Sequence, residues 1–151
     1  MKGEVRITAD RLQITRLFEA PREVVFGWWT QAEKLAQWSG CKDAQNCRVS
    51  MDFRVGGSFS QTMQIHGNDF TITGVYEEIV EPARIVYRVN LGPAVTRVAI
   101  EFFEEAGGRT RMVLTQEGLP DEMLANIVSQ GTMESFDKLE RALAVGAVAR
   151  T

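Results

Sequence analysis

The sequence predicts an α+β fold: an antiparallel sheet solvated on one side and covered on the other by one long helix. Three observations carry this. Segments from Val49 to Gln116 alternate at period two and are separated by turn residues. Pro120 to Leu143 has helical periodicity over a length that no other segment matches. Each strand has one apolar and one polar face, so one side of the sheet needs a cover, and only the last helix is large enough.

Taken in order, Leu12 to Phe18 alternates as a strand and puts Leu12, Ile14, Arg16 and Phe18 on one face if no bulge intervenes. Ala20-Pro21 ends it, and Pro21 suits the first turn of a helix. Arg22 to Thr30 reads as a short helix with Val25, Phe26 and Trp29 inside. Ala32 to Trp38 reads as a second, with Leu35 and Trp38 on one side. Ser39 to Gln45 is a polar loop. The period then changes to two. Val49 to Phe53 is a short strand, Gly56-Gly57 punctuates, and Ser58 to Ile65 is the next strand. His66-Gly67-Asn68-Asp69 is a turn by composition. Phe70 to Val80 follows, with Gly74 as an expected bulge. Glu81-Pro82-Ala83 is a turn with Pro82 at position i+1. Ile85, Tyr87 and Val89 alternate, Leu91-Gly92-Pro93 breaks the strand, and Val98, Ile100 and Phe102 alternate again. Gly107-Gly108 supplies a tight hairpin, and Thr110, Met112, Leu114 and Gln116 return. The count is about six to seven strands.

In the long helix Leu124, Ile127, Val128, Gly131, Ser135, Leu139 and Ala142 recur at steps of three and four. Pro120 and Asp121 signal its start, Glu122 adds a first-turn acid, and Gly146 is a plausible stop. Its centre is thin. Gly131 and Ser135 stand where a core helix carries bulk, so either the backbone approaches the sheet closely there or space is left.

A chain of 151 residues is expected to form one domain with a full core. Net charge is −3, from 17 basic and 20 acidic residues, which argues against a nucleic-acid surface. The N-terminal stretch is charged and lacks an apolar signal region, and no apolar run reaches the ~20 residues of a membrane span. The expected location is the cytoplasm. Cys41 and Cys47 read as free thiols in a loop, and His66 is too far away to complete a metal site with them.

Catalytic patterns are sparse. His66 alone would have to serve any nucleophile–histidine–acid arrangement. Gly56-Gly57 opens a strand rather than a helix, so it is no phosphate loop. Glu77-Glu78 and Glu104-Glu105 are strand neighbours that point to opposite faces, not converging carboxylates. Asp52 and Arg54 read as a turn-bracing pair. Trp28 lies on a different side of its helix from Trp29 and reads as a rim residue or a partner contact.

Four stretches carry a family likeness. Arg16-Leu17-Phe18-Glu19-Ala20-Pro21 runs into Val25-Phe26, with Trp29-Thr30, Leu35 and Trp38 following. Asp52 to Phe59 contains an aspartate, an arginine and a double glycine. Gly74 to Ile79 and Pro82 to Tyr87 form the next hairpin, and Gly108 to Met112 the last. Together they resemble the START-like (SRPBCC, helix-grip) superfamily, and within it the branch named after the activator of the heat-shock-protein-ninety ATPase. The resemblance implies a curved sheet gripping the long helix, with a cavity between them. Two departures lie near that cavity. Ser39-Gly40-Cys41 replaces a usual tryptophan, glycine and proline, and Gly131 precedes Thr132 where the family usually has tryptophan.

Periodicity alone reads the inward strand residues, Ile65 among them, as a filled core. The resemblance and the two missing aromatics set an open cavity beside that reading. Its candidate lining is Trp38, Phe59, Gln61, Met63, Ile72, Tyr87, Val98, Ile100, Met112, Leu114 and Gln116, with Ile127, Gly131, Thr132 and Ser135 from the helix. Arg16 would hold a ligand carboxylate if it entered the cavity; an ion pair or a turn to solvent is the other reading. The leading function is binding of an apolar or amphipathic small molecule, with no cofactor and no metal. One alternative is a module that modulates a chaperone ATPase, as the branch name suggests. Another is a cavity enzyme of cyclase or hydrolase type, for which no acid or base stands out. A homodimer stays open.

Overall fold

The computed structural model describes residues 3–150, with side chains through residue 146. One eight-stranded sheet runs in the order β1-β2-β8-β7-β6-β5-β4-β3, every neighbouring pair antiparallel. Its strands are β1 (Gly3–Thr8), β2 (Arg11–Phe18), β3 (Ala44–Met51), β4 (Ser58–Ile65), β5 (Asn68–Val80), β6 (Arg84–Leu91), β7 (Ala94–Glu105) and β8 (Arg109–Glu117). Two short helices, α1 (Arg22–Thr30) and α2 (Ala32–Trp38), connect β2 to β3, and α3 (Glu122–Arg150) follows β8. This is the α+β helix-grip arrangement, with one or two strands more than the sequence pattern gave.

The strand with no counterpart in the sequence pattern is the edge β1. β1 carries Glu4 and Arg6 and is mostly exposed, so it has no apolar stripe to announce it. β3 begins at Ala44 rather than Val49, because a register shift between Gln45 and Arg48 hides the alternation. Charged, irregular edges of this kind discourage pairing with other chains.

The centre of the sheet follows its pattern. Leu12, Ile14, Arg16 and Phe18 of β2 are all buried, as are Val98, Ile100 and Phe102 of β7 and Met112 and Leu114 of β8. Pro21 stands just before α1 as its N-cap, one position earlier than expected, and its carbonyl accepts from Val24 and Val25 at 3.0 Å. Pro82 follows a cis peptide bond, and Ala83 N donates to Val80 O, so Pro82 takes position i+2 of its turn rather than i+1. The bulge expected at Gly74 falls instead between Tyr76 and Glu78. Gly74 serves close approach: a Cβ there would overlap both the Phe59 ring and the Arg88 carbonyl.

Asp121 caps α3, its carboxylate accepting from Leu124 N at 2.8 Å. The helix runs through Gly146, which is not its stop. Its inner face is also rotated from the expected stripe. Ala125, Phe136, Leu139 and Leu143 are buried, while Ile127 is 62% exposed. Phe136 is the principal anchor. It meets Phe18 edge-on at 6.2 Å and packs against Trp29 and Trp38 at 6.4 and 6.2 Å. A buried aromatic of this size contributes about 1.5–3 kcal/mol.

Candidate functional site

Anchoring at the Phe136 end leaves the thin part of α3 standing off the sheet. The space beneath it measures about 390 Å³. Strands β4 to β8 form its floor, α3 its roof, and α2 with the segment after it closes one end. The surroundings of Gly131 show the stand-off. A Cβ there would meet only the Cys41 Cβ, at an ordinary 3.8 Å, so the helix backbone does not press on the sheet.

The segment Ser39–Lys42 is fixed to α3. Ser135 Oγ donates to the Gly40 carbonyl at 2.7 Å, Lys138 Nζ to the Cys41 carbonyl at 2.7 Å, and Lys42 N to Glu134 at 3.1 Å. Trp38 is set from below, its Nε1 donating to the Trp28 carbonyl at 3.0 Å.

Thirteen of the candidate residues line this space: Trp38, Phe59, Gln61, Met63, Ile72, Tyr87, Val98, Leu114, Gln116, Ile127, Gly131, Thr132 and Ser135. Ile65 does too, and Ile127 sits at the rim, where its exposure marks an opening. Ile100 and Met112 do not. Both are fully buried in the packed part of the core. Arg16 is likewise outside the lining. Its guanidinium is buried and bonds Asp137 at 2.6 Å and Glu140 at 3.0 Å on α3. It is a strand-to-helix tie, and its charge is already matched.

Several wall residues escaped the sequence pattern. Tyr76 shares strand parity with Ile72 and Gly74, a signal that extending the β5 alternation by one step would have caught. Phe136 lies four residues after Thr132 and three before Leu139, a helical spacing that was also available. Ser39, Gly40 and Cys41 carry no periodic signal, because long-range bonds to α3 bring them in.

The polar groups divide into two sets. Gln116 Nε2 donates to Thr96 Oγ1 at 2.9 Å, and Ser135 is committed to the Gly40 and Gly131 carbonyls. The hydroxyls of Tyr76 and Tyr87 and the amide of Gln61 have no hydrogen-bond partner among the described residues. Burial raises both phenols well above the ordinary tyrosine value, and Tyr76 adds to the effect on Tyr87. Two wall atoms of a different kind, Trp29 Nε1 and Ser39 Oγ, are fully buried without a partner. No charged side chain among the described residues lines the space.

The Asp52–Gly57 stretch acts on this wall from outside. Gly56 N donates to the Tyr76 carbonyl at 2.8 Å, and Tyr76 N donates to the Gly57 carbonyl at 2.9 Å. A Cβ on Gly57 would overlap the Asp52 carbonyl, so the loop needs glycine there. Asp52 and Arg54 pair at 2.7 Å on the exposed side. The double glycine therefore holds Tyr76 in place.

The thiols stay separate. Cys41 lies at the wall, and Cys47 donates to the Ser39 carbonyl at 3.3 Å. Burial raises the Cys47 thiol, opposed by Lys138. His66 is an exposed turn residue with φ of 52°, its Nε2 3.8 Å from Asp43. Among the described residues no three His, Cys, Asp or Glu side chains gather as a metal site. No helix among them is long and apolar enough to cross a membrane.

A family model described as "Activator of Hsp90 ATPase homolog 1-like protein" matches residues 19–144. The chain belongs to that family. The match takes in both short helices, the double-glycine loop and most of α3. Solved structures agree on the fold. A protein from Nitrosomonas europaea is 24% identical with a TM-score of 0.80, covering 94% of this chain and 99% of that one. One from Chromobacterium violaceum is 22% identical with a TM-score of 0.79, covering 88% and 96%. A putative uncharacterised protein from Rhizobium leguminosarum is 29% identical with a TM-score of 0.74, covering 91% and 95%. Among the curated proteins none matches.

Proposed function

We propose that this member of the activator-like family binds a small, largely apolar molecule in the space between the sheet and α3. The observation that carries the reading is the space itself. At about 390 Å³ it falls in the range of small-molecule sites, and its wall is mainly aliphatic and aromatic with a few polar groups. The rim at Ile127 supports entry from solvent. Fluorescence titration with the neutral dye Nile red tests it. Saturable binding of one dye per chain is expected, with emission shifted to the blue. Absence of saturable binding by Nile red and by a panel of neutral lipids and polycyclic compounds would sink the reading.

The family description supports a second reading, modulation of a chaperone ATPase. It expects the purified chain to change the ATPase rate of the ninety-kilodalton chaperone. An unchanged rate together with no recovered complex argues against it.

A further inference from the structure

Resting on the small-molecule reading above, we propose that Tyr76 and Tyr87 form the polar seat of the site, and that the molecule they select is an uncharged, ring-containing compound bearing a carbonyl group. The two residues are register partners on β5 and β6, with ring centroids 6.2 Å apart at 79°. Both line the space. The side chain of neither is engaged by hydrogen bonding among the described residues. Neither hydroxyl is among the fully buried unpartnered atoms, so each is open to the space and can donate to an acceptor that enters it.

The two are also held in position. Tyr76 is clamped through its own backbone by Gly56 and Gly57. The Phe59 ring, seated over Gly74, lies 5.2 Å from the Tyr76 ring and 5.3 Å from that of Tyr87. A neutral phenol can donate or accept, and a carbonyl oxygen with two lone pairs is a group that can take the protons of both hydroxyls. Gln61 adds a free amide on the neighbouring strand.

Charge decides the rest. A carboxylate entering here would meet no cation, since no charged side chain among the described residues lines the wall and Arg16 is already matched. Aromatic rings in the wall, Phe59, Trp29 and Trp38 among them, favour flat rings over flexible chains.

A matched probe set tests this: 2-acetylnaphthalene, 2-ethylnaphthalene and 2-naphthoate, titrated against wild type, Tyr76→Phe and Tyr87→Phe. The acetyl compound is expected to bind about tenfold tighter than the ethyl compound, the yield of one good hydrogen bond. The carboxylate is expected to bind weakest. At least one of the two Phe variants should erase the acetyl compound's advantage and leave the ethyl compound's affinity unchanged. Both variants should fold normally, because the lost hydroxyls bond nothing in the chain. Equal affinity for acetyl and ethyl compounds, preference for the carboxylate, or no effect of either variant overturns the polar seat while the binding site stands. Failure of even the ethyl compound to bind overturns the site and the seat together.

Discussion

The Arg16 guanidinium lies 2.6 Å from a carboxylate oxygen of Asp137, tying β2 to α3 across the covered face of the sheet. Glu140, one turn further on, adds a contact at 3.0 Å. The arginine is buried, whereas Asp137 is half-exposed. The energetic risk is therefore lopsided. Removing the acids strands a buried cation, while removing the arginine frees acids that water can solvate. Urea unfolding should show Asp137→Ala/Glu140→Ala losing about 3 kcal/mol and Arg16→Met losing less than half of that. The reverse order would contradict this reading of the tie. Nile red affinity should be unchanged in Arg16→Met, because Arg16 is not part of the cavity wall.

The chain has two tyrosines, and both line the cavity. Burial raises both pKa values above the ordinary value of about 10. The sign follows directly. Each folded phenol keeps its proton after the unfolded one has lost it, so stability is fully present below about pH 10 and falls as pH rises beyond it, by up to about 1.4 kcal/mol per unit for each tyrosine. Absorbance at 295 nm should therefore show little phenolate until the protein unfolds, then a single cooperative rise. A simple titration near pH 10 with the fold intact would contradict the burial of both rings.

Phe59 sits where Gly74 has no side chain. Gly74→Ala should push the ring off its seat and disturb its packing on both tyrosines, at a cost of about 1–3 kcal/mol. Thermal unfolding checks the loss. A variant as stable as wild type would mean that the ring and the strand carrying the Arg88 carbonyl both give way at no cost.

Thr132 lines the space from α3, next to Gly131. Thr132→Trp is expected to fill part of the 390 Å³ space. Thermal stability should hold or rise as the void closes, and Nile red affinity should fall at least tenfold. A variant that fails to fold would show that no room existed.

How much of this was legible beforehand follows from what makes each signal. The central strands, with Ile14, Val98 and Leu114 on one face, are fixed by period-two burial, and the sequence carries that period openly. The edge β1 lacks a buried face, so nothing in its residue pattern distinguishes it from a loop, and in β3 only the end from Val49 was legible. The cavity's floor is visible by the same periodicity, but periodicity cannot tell a residue against the space from one against packed side chains. Ile100 and Met112 share the pattern of Val98 and Leu114 and still fall outside the wall, because Phe136 draws α3 down at one end only. The Ser39–Cys41 wall is set by hydrogen bonds spanning 95 and 97 positions of sequence, which no local pattern encodes.

The most direct test is methyl-resolved NMR of the isotope-labelled chain during titration with 2-ethylnaphthalene. Methyl groups of Ile72, Ile85, Val89, Val98 and Leu114 line the space, whereas those of Leu12 and Ile14 lie in the packed core beyond it. Binding under α3 should give saturable shifts and intermolecular contacts for the first group, with little change at Leu12 and Ile14. Shifts confined to exposed methyls such as Val55 and Val95, or no saturable shift at all, would contradict a ligand site between sheet and helix.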